Sequence, residues 1–147
     1  MASPLIHQTI KGDARGIRNN NPLNIRCSSQ TWKGKILGGS DKEFEQFTDI
    51  WMGIRAAMIN IRTHVDKDKR LRIKTTVQRE IERWAPRSEN DTDKYIRTVC
   101  EKAHLVPSDI IDFNKKNIVC RLCWGMAFVE CGVDIPFNYF ETSFAYI

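Results

Sequence analysis

Arg15-Gly16-Ile17-Arg18-Asn19-Asn20-Asn21-Pro22-Leu23-Asn24-Ile25-Arg26 places four asparagines, a glycine and a proline within twelve residues. A run this dense in turn formers reads as an ordered loop. Asparagine side chains bond their own backbone and tolerate left-handed angles, while Pro22 fixes its own φ and biases Asn21 toward extended geometry. Ile17, Leu23 and Ile25 are the apolar anchors that would tie the loop to a core.

Working outward, Met1 to Ala14 has no sustained periodicity and reads as an N-terminal arm, leaving 15–147 as a single domain. Downstream, Trp32 to Phe47 alternates short apolar pieces with Gly34, Gly38 and Gly39, which predicts short strands or a β-hairpin with Phe44 and Phe47 returning to the core. Ile50, Ile54, Ala57, Met58, Ile61 and Val65 then recur at three- and four-residue steps, so a helix is expected from about Trp51 to about Val65. Thr75-Thr76-Val77-Gln78 has the form of a capping box, opening a short helix with Val77, Ile81 and Trp84 on one face and Pro86 at its end. Asn90 or Asp91 is the expected cap of the next helix, which carries Tyr95, Ile96, Val99 and Ala103. Pro107 to Asp112 is a second turn region. A final helix runs from about Asn114 to about Cys131, stopped by Gly132, and the aromatic tail from Pro136 to Ile147 is expected to pack back over the domain. The fold class is mainly α (α+β), with one small hairpin.

Composition narrows the class of molecule. At 147 residues, 41% hydrophobic and 28% charged, the chain is sized and composed for one globular core. Its formal charge of +5 favours an acidic partner. Most basic residues are dispersed; the dense run Lys67, Lys69, Arg70, Arg72 and Lys74 reads as a solvated helix end, so nucleic acid is not the expected partner. The five cysteines are an odd number without framework spacing and are expected to be unbridged, with Cys120 and Cys123 serving core packing instead of zinc. His7, His64 and His104 are scattered, so no metal or other cofactor is expected. Met1 to Lys11 lacks a signal-peptide apolar run, and no transmembrane segment is apparent; synthesis in the cytoplasm is expected, followed by delivery to the cell wall or into a virion.

The asparagine-rich stretch resembles the R-G-I-R-N-N-N-P-G-N-I-R signature of phage and prophage proteins with lysozyme-like domains. Trp32 with Gly34, Phe44-Glu45-Gln46-Phe47, Gly53-Ile54-Arg55-Ala56, Arg83-Trp84-Ala85-Pro86, Glu89-Asn90-Asp91-Thr92 and Tyr95-Ile96 extend the likeness from Arg15 to about Val99. Leu23 departs from it, standing where the pattern more often has glycine. The resemblance implies a lysozyme-like helical domain and contact with peptidoglycan glycan strands, as a virion structural protein, an endolysin or a muramidase.

Such enzymes cleave between sugars with a protonated carboxylic acid whose pKa an apolar pocket raises. In that superfamily the acid ends a helix preceding the asparagine-containing hairpin, yet no glutamate precedes Arg15 here. The final helix offers a replacement: Ile118, Leu122, Met126 and Glu130 step by four and share one ridge, so Glu130 occupies a position where a hydrophobe belongs. Burial and the negative helix end both penalise its ionisation. The competing reading puts the Glu130 carboxyl in water at the rim of the core. A general acid on the last helix implies a circularly permuted arrangement.

Glu45 is the next catalytic candidate: it is either exposed to solvent on a strand, or Glu45 or Asp41 serves as the second carboxylate that orients water or steadies charge in the transition state. Asn20, Asn21, Asn24 and Arg26 are candidates for substrate binding, with Trp32 or Trp84 as a platform for sugar faces. Asn-rich turns also use their amides on their own backbone, and Trp84 shares a face with core residues. Two functional classes follow: glycan-strand cleavage as a muramidase or lytic transglycosylase, or a non-catalytic module binding the wall or virion subunits.

Overall fold

The computed structural model describes Ile10 and residues 12–147; the rest of the segment read as an arm, including His7, lies outside the described residues. Ile10 and Ala14 pack against the core. Among the described residues six helices carry the fold: α1 (Arg15–Arg18), α2 (Ile50–Arg70), α3 (Val77–Trp84), α4 (Thr92–Ala103), α5 (Lys116–Cys131) and α6 (Asn138–Ala145). The molecule is mainly helical.

The β-hairpin expected between Trp32 and Phe47 does not form a ladder. Pairing there is confined to isolated antiparallel bridges, Arg26 with Phe44 and Lys35 with Phe47. Positive φ angles of 79° at Gly34 and 67° at Gly38 turn the chain twice, so no stretch stays extended long enough to pair. The facing of this segment also differs from expectation. Alternation places residues 45 and 47 on one side, and it is Phe47 that enters the core, at 1% exposure. Glu45 is carried inward with it, while Phe44 turns outward beneath the guanidiniums of Arg15 and Arg26, 4.6 and 5.2 Å from its ring centre.

Helix α2 runs five residues past the expected Val65 because Asp68 continues its inward face. Lys67, Lys69 and Arg70 in the last turn complement the helix dipole. The cap of α3 is Thr76, not Thr75: its hydroxyl accepts from the Arg79 amide at 3.1 Å, and the Thr75 hydroxyl donates to Asp68 at 2.6 Å. Asp91 caps α4 by accepting from the Lys94 amide. Gly132 ends α5 in the left-handed region, at φ 69°.

α5 is the central element. It packs on α4, α6, α1 and α2, burying Val119, Leu122, Cys123, Met126 and Ala127. Each fully buried Leu or Met contributes about 1.5–3 kcal/mol of transfer free energy. The contact with α4 is close: a Cβ on Gly125 would stand 2.9 Å from Val99 Cγ1. α6 closes the core with Tyr139 and Phe140, and the Ser143 hydroxyl donates to the Trp51 carbonyl of α2 at 2.9 Å. All five cysteines are free. No helix among the described residues is long and apolar enough to cross a membrane.

Candidate functional site

The asparagine-rich turn divides its side chains between holding itself and reaching outward. Asn21 is fully buried and bonds in three directions: its amide donates to the carbonyls of Ile25 and Glu45 at 3.0 and 2.9 Å, and its carbonyl oxygen accepts from the Ile25 amide at 2.9 Å. Asn20, at φ 52°, donates to the Phe47 carbonyl at 3.0 Å. Its own carbonyl sits against α2 where a Cβ on Gly53 would come within 2.0 Å, so glycine is required there. Asn19 bonds Asp41 at 2.8 Å. These residues brace the turn and do not line the cavities described next.

Asn24 differs. At φ 54° its side chain points toward α5, and Nδ2 donates to Glu130 Oε1 at 3.0 Å. From α4, the Tyr95 hydroxyl donates to Glu130 Oε2 at 2.9 Å. One half-buried carboxyl therefore joins the turn, α4 and α5. Burial raises its pKa above the ordinary glutamate value, and the bonds from Asn24 and Tyr95, which favour the ionised form, oppose that rise without cancelling it. The Tyr95 phenol is held well above its own ordinary value, first by burial and then by the neighbouring carboxylate, so it remains a donor. The Glu130 side chain is half-buried, with both carboxyl oxygens bonded.

Glu130, Asn24, Arg26, Arg83, Trp84 and Glu89 line a cavity of about 400 Å³. A second cavity of about 600 Å³ shares Asn24, Arg26, Arg83 and Trp84 and continues past Trp32, Asn60 and His64. The two cavities adjoin across these four shared residues, with Glu130 lining one and His64 lining the other. Both tryptophans are half-buried in their walls, so Trp84 serves the core and the cavities at once.

Behind His64 and Arg83 lies a buried charge network that the sequence did not reveal. Asp68, 1% exposed, accepts from Thr75, Arg79 and Arg83. These partners, led by Arg79, hold its carboxyl well below the usual carboxylate range. Glu80, with no exposed surface, meets His64 Nδ1 at 2.7 Å and Arg83 at 3.2 Å. The Thr92 hydroxyl donates to the Ala85 carbonyl and Asn90 to that of Pro86, fixing the α3–α4 junction.

Glu45 is placed apart from Glu130. It is buried, not exposed, at 3% and its Oε2 lies 3.0 Å from Lys35 Nζ. It lines a different cavity of about 190 Å³. Asp41 is bonded by Arg15, Asn19 and the amides of Glu43 and Phe44, which keep it ionised far below the usual range. Neither carboxylate lines the Glu130 cavity. Glu89, which the sequence reading did not single out, lines the Glu130 cavity; its place in the Glu89-Asn90-Asp91-Thr92 match was the available signal. Cys120 and Cys123 face the core of α5, where burial pushes Cys120 up to about 12 and Cys123 well above its ordinary value. His104 ends α4 in the left-handed conformation. No group of three or more His, Cys, Asp or Glu side chains able to hold a metal occurs among the described residues.

No protein-family model matches the chain. Over 92 residues it is 41% identical to Protein P5 of Pseudoalteromonas phage PM2, a match covering 60% of this chain and 55% of that protein. The chain thus spans about half the length of the curated relative it matches, and that relative is a phage protein.

Proposed function

We propose that this chain is a lysozyme-like, circularly permuted domain that cleaves the glycan strands of peptidoglycan, with Glu130 as the general acid. The observation that carries the reading is the carboxyl of Glu130: half-buried, raised in pKa by burial, oriented by Asn24 and Tyr95, and set in the wall of a cavity with Trp84, with Trp32 in the adjoining one. A neutral carboxylic acid is what protonation of a glycosidic oxygen requires. Trp84 and Trp32 offer apolar faces to sugar rings, and Arg26 supplies donors at the rim. The motif shared with phage proteins and the phage relative support a role in a virus or prophage, acting at the wall or from within a virion.

Glu130→Gln keeps the shape and hydrogen bonding of the side chain but has no proton to transfer. Its peptidoglycan clearing should fall by about a hundredfold or more while the thermal transition is retained. Glu89→Gln, in the same cavity, separates the chemistries. Loss in both variants indicates a two-carboxylate hydrolase, whereas loss at Glu130 alone indicates a transglycosylase that closes an anhydro ring with the sugar's own hydroxyl. Product mass, differing by one water, checks that assignment. Equal clearing by wild type and Glu130→Gln would overturn the reading.

A second reading, a non-catalytic wall-binding or virion-assembly module, is favoured by one feature. Asn24 and Tyr95 both donate to Glu130, an arrangement that also suits a purely structural carboxylate. Glycan binding without turnover would select it.

A further inference from the structure

Away from Glu130, the lining changes character. The larger cavity is lined by Arg26, Asn60, His64, Arg83 and the two tryptophans, with no aspartate or glutamate in the lining. Arg83 is already neutralised by Asp68 and Glu80. Arg26 is held more loosely: its side chain is 71% exposed, its guanidinium lies over the Phe44 ring, and its ion pair with Glu43 is long, at 3.9 Å.

His64 is held by a built arrangement. Its Nδ1 lies 2.7 Å from Oε2 of Glu80, whose side chain is wholly buried, and Arg83 bonds the other carboxylate oxygen at 3.2 Å. In the tautomer that donates from Nδ1 to the Glu80 carboxylate, Nε2 is the ring nitrogen left for a ligand. Neutral, Nε2 accepts a hydrogen bond. Protonated, it donates one and the ring carries charge. The charged and titratable groups around the ring are Glu80 and Arg83 from α3, Asp68 on α2 tied to Arg83, and Arg26 and Cys27 from the segment after the turn.

We propose that this cavity is a subsite for a carboxylate-bearing substituent of the bound polymer, gripped by the protonated imidazole of His64 and the guanidinium of Arg26. The inference rests on the glycan reading for the identity of the polymer. A strand whose sugars carry lactyl-linked acidic peptides presents such a carboxylate beside acetamido groups; a bare neutral sugar chain does not. His64 and Arg26 are then specificity-determining residues, separate from the bond-breaking carboxyl.

The test uses the full chain with Glu130→Gln, so that nothing is cleaved and Glu130 does not titrate. Calorimetry compares muramyl dipeptide with its carboxyl-amidated analogue at about pH 5.5 and about pH 8. The acid should bind at least about tenfold more tightly than the amide at the lower pH, the effect of one charge-assisted hydrogen bond. That preference should shrink at the higher pH. Adding His64→Gln should reduce the preference and abolish its pH dependence, and adding Arg26→Gln should reduce it at both pH values. Equal binding of the two probes overturns the proposal, as does an unchanged preference in a folded His64→Gln protein. Arg26→Gln, at an exposed position, keeps the test decisive if His64→Gln fails to fold, since an unchanged preference there overturns the proposal too. The cleavage assay is read separately. Retained preference without turnover sinks the Glu130 assignment and leaves the subsite; intact turnover with equal probe binding does the reverse.

Discussion

Glu130 ties its ionisation to the stability of the fold. Its pKa in the folded chain is raised by burial, so between the ordinary glutamate range and that raised value the folded state binds more protons than the unfolded state. Stability from this group is therefore lost as pH rises through that window. Glu130→Gln removes the loss, and its melting temperature should exceed that of the wild type at about pH 8 and converge with it near about pH 4. A variant less stable than wild type at the higher pH would contradict the burial argument. Tyr95→Phe removes one bond to the ionised carboxyl, so the Glu130 pKa should rise further, read by carboxyl carbon NMR. The partial burial of Glu130 was legible because a carboxylate follows Ile118, Leu122 and Met126 on one ridge. Asp68 and Glu80 continue apolar faces in the same way, after Ile61 and Val65 and beside Val77 and Ile81, but charged neighbours in sequence masked them.

Among the elements, the α2–α3 joint depends on a buried anion. Asp68 is surrounded by Thr75, Arg79 and Arg83, and both guanidiniums retain access to solvent, with side chains 42% and 27% exposed. Asp68→Asn should destabilise the chain by about 3 kcal/mol, the lower end for breaking a buried pair, in urea unfolding. Because the folded pKa of Asp68 is depressed, its contribution is present above the ordinary aspartate value and lost as pH falls below it. The variant should accordingly lose less stability on acidification than the wild type. Helix positions were readable from the three- and four-residue apolar steps, whereas the facing of 44–47 was not. Two phenylalanines three residues apart cannot both face inward on an extended chain, and local pattern does not say which one wins. Packing against the Asn21 turn decides it, through the Glu45 carbonyl that Asn21 binds.

For the molecule as a whole, thiol chemistry separates surface opening from global unfolding. Cys27 is exposed, while Cys120 and Cys123 are sealed between α5 and its neighbours. A thiol reagent should modify Cys27 in the native protein within the mixing of the reaction, and Cys120 and Cys123 only as the entire core opens. Rapid native labelling of either buried thiol would mean that α5 detaches independently. The Glu130 cavity has a further consequence for the life of the chain. Asn24 and Glu130 are 106 positions apart, so at about 5–20 residues added per second many seconds of translation separate their synthesis. Until the α5 segment clears the ribosome, the asparagine-rich turn has no carboxyl to meet. Under the proposed Glu130 assignment, a nascent or truncated polypeptide lacking α5 would be chemically silent toward glycans, and emergence of α5 would be the step that arms it.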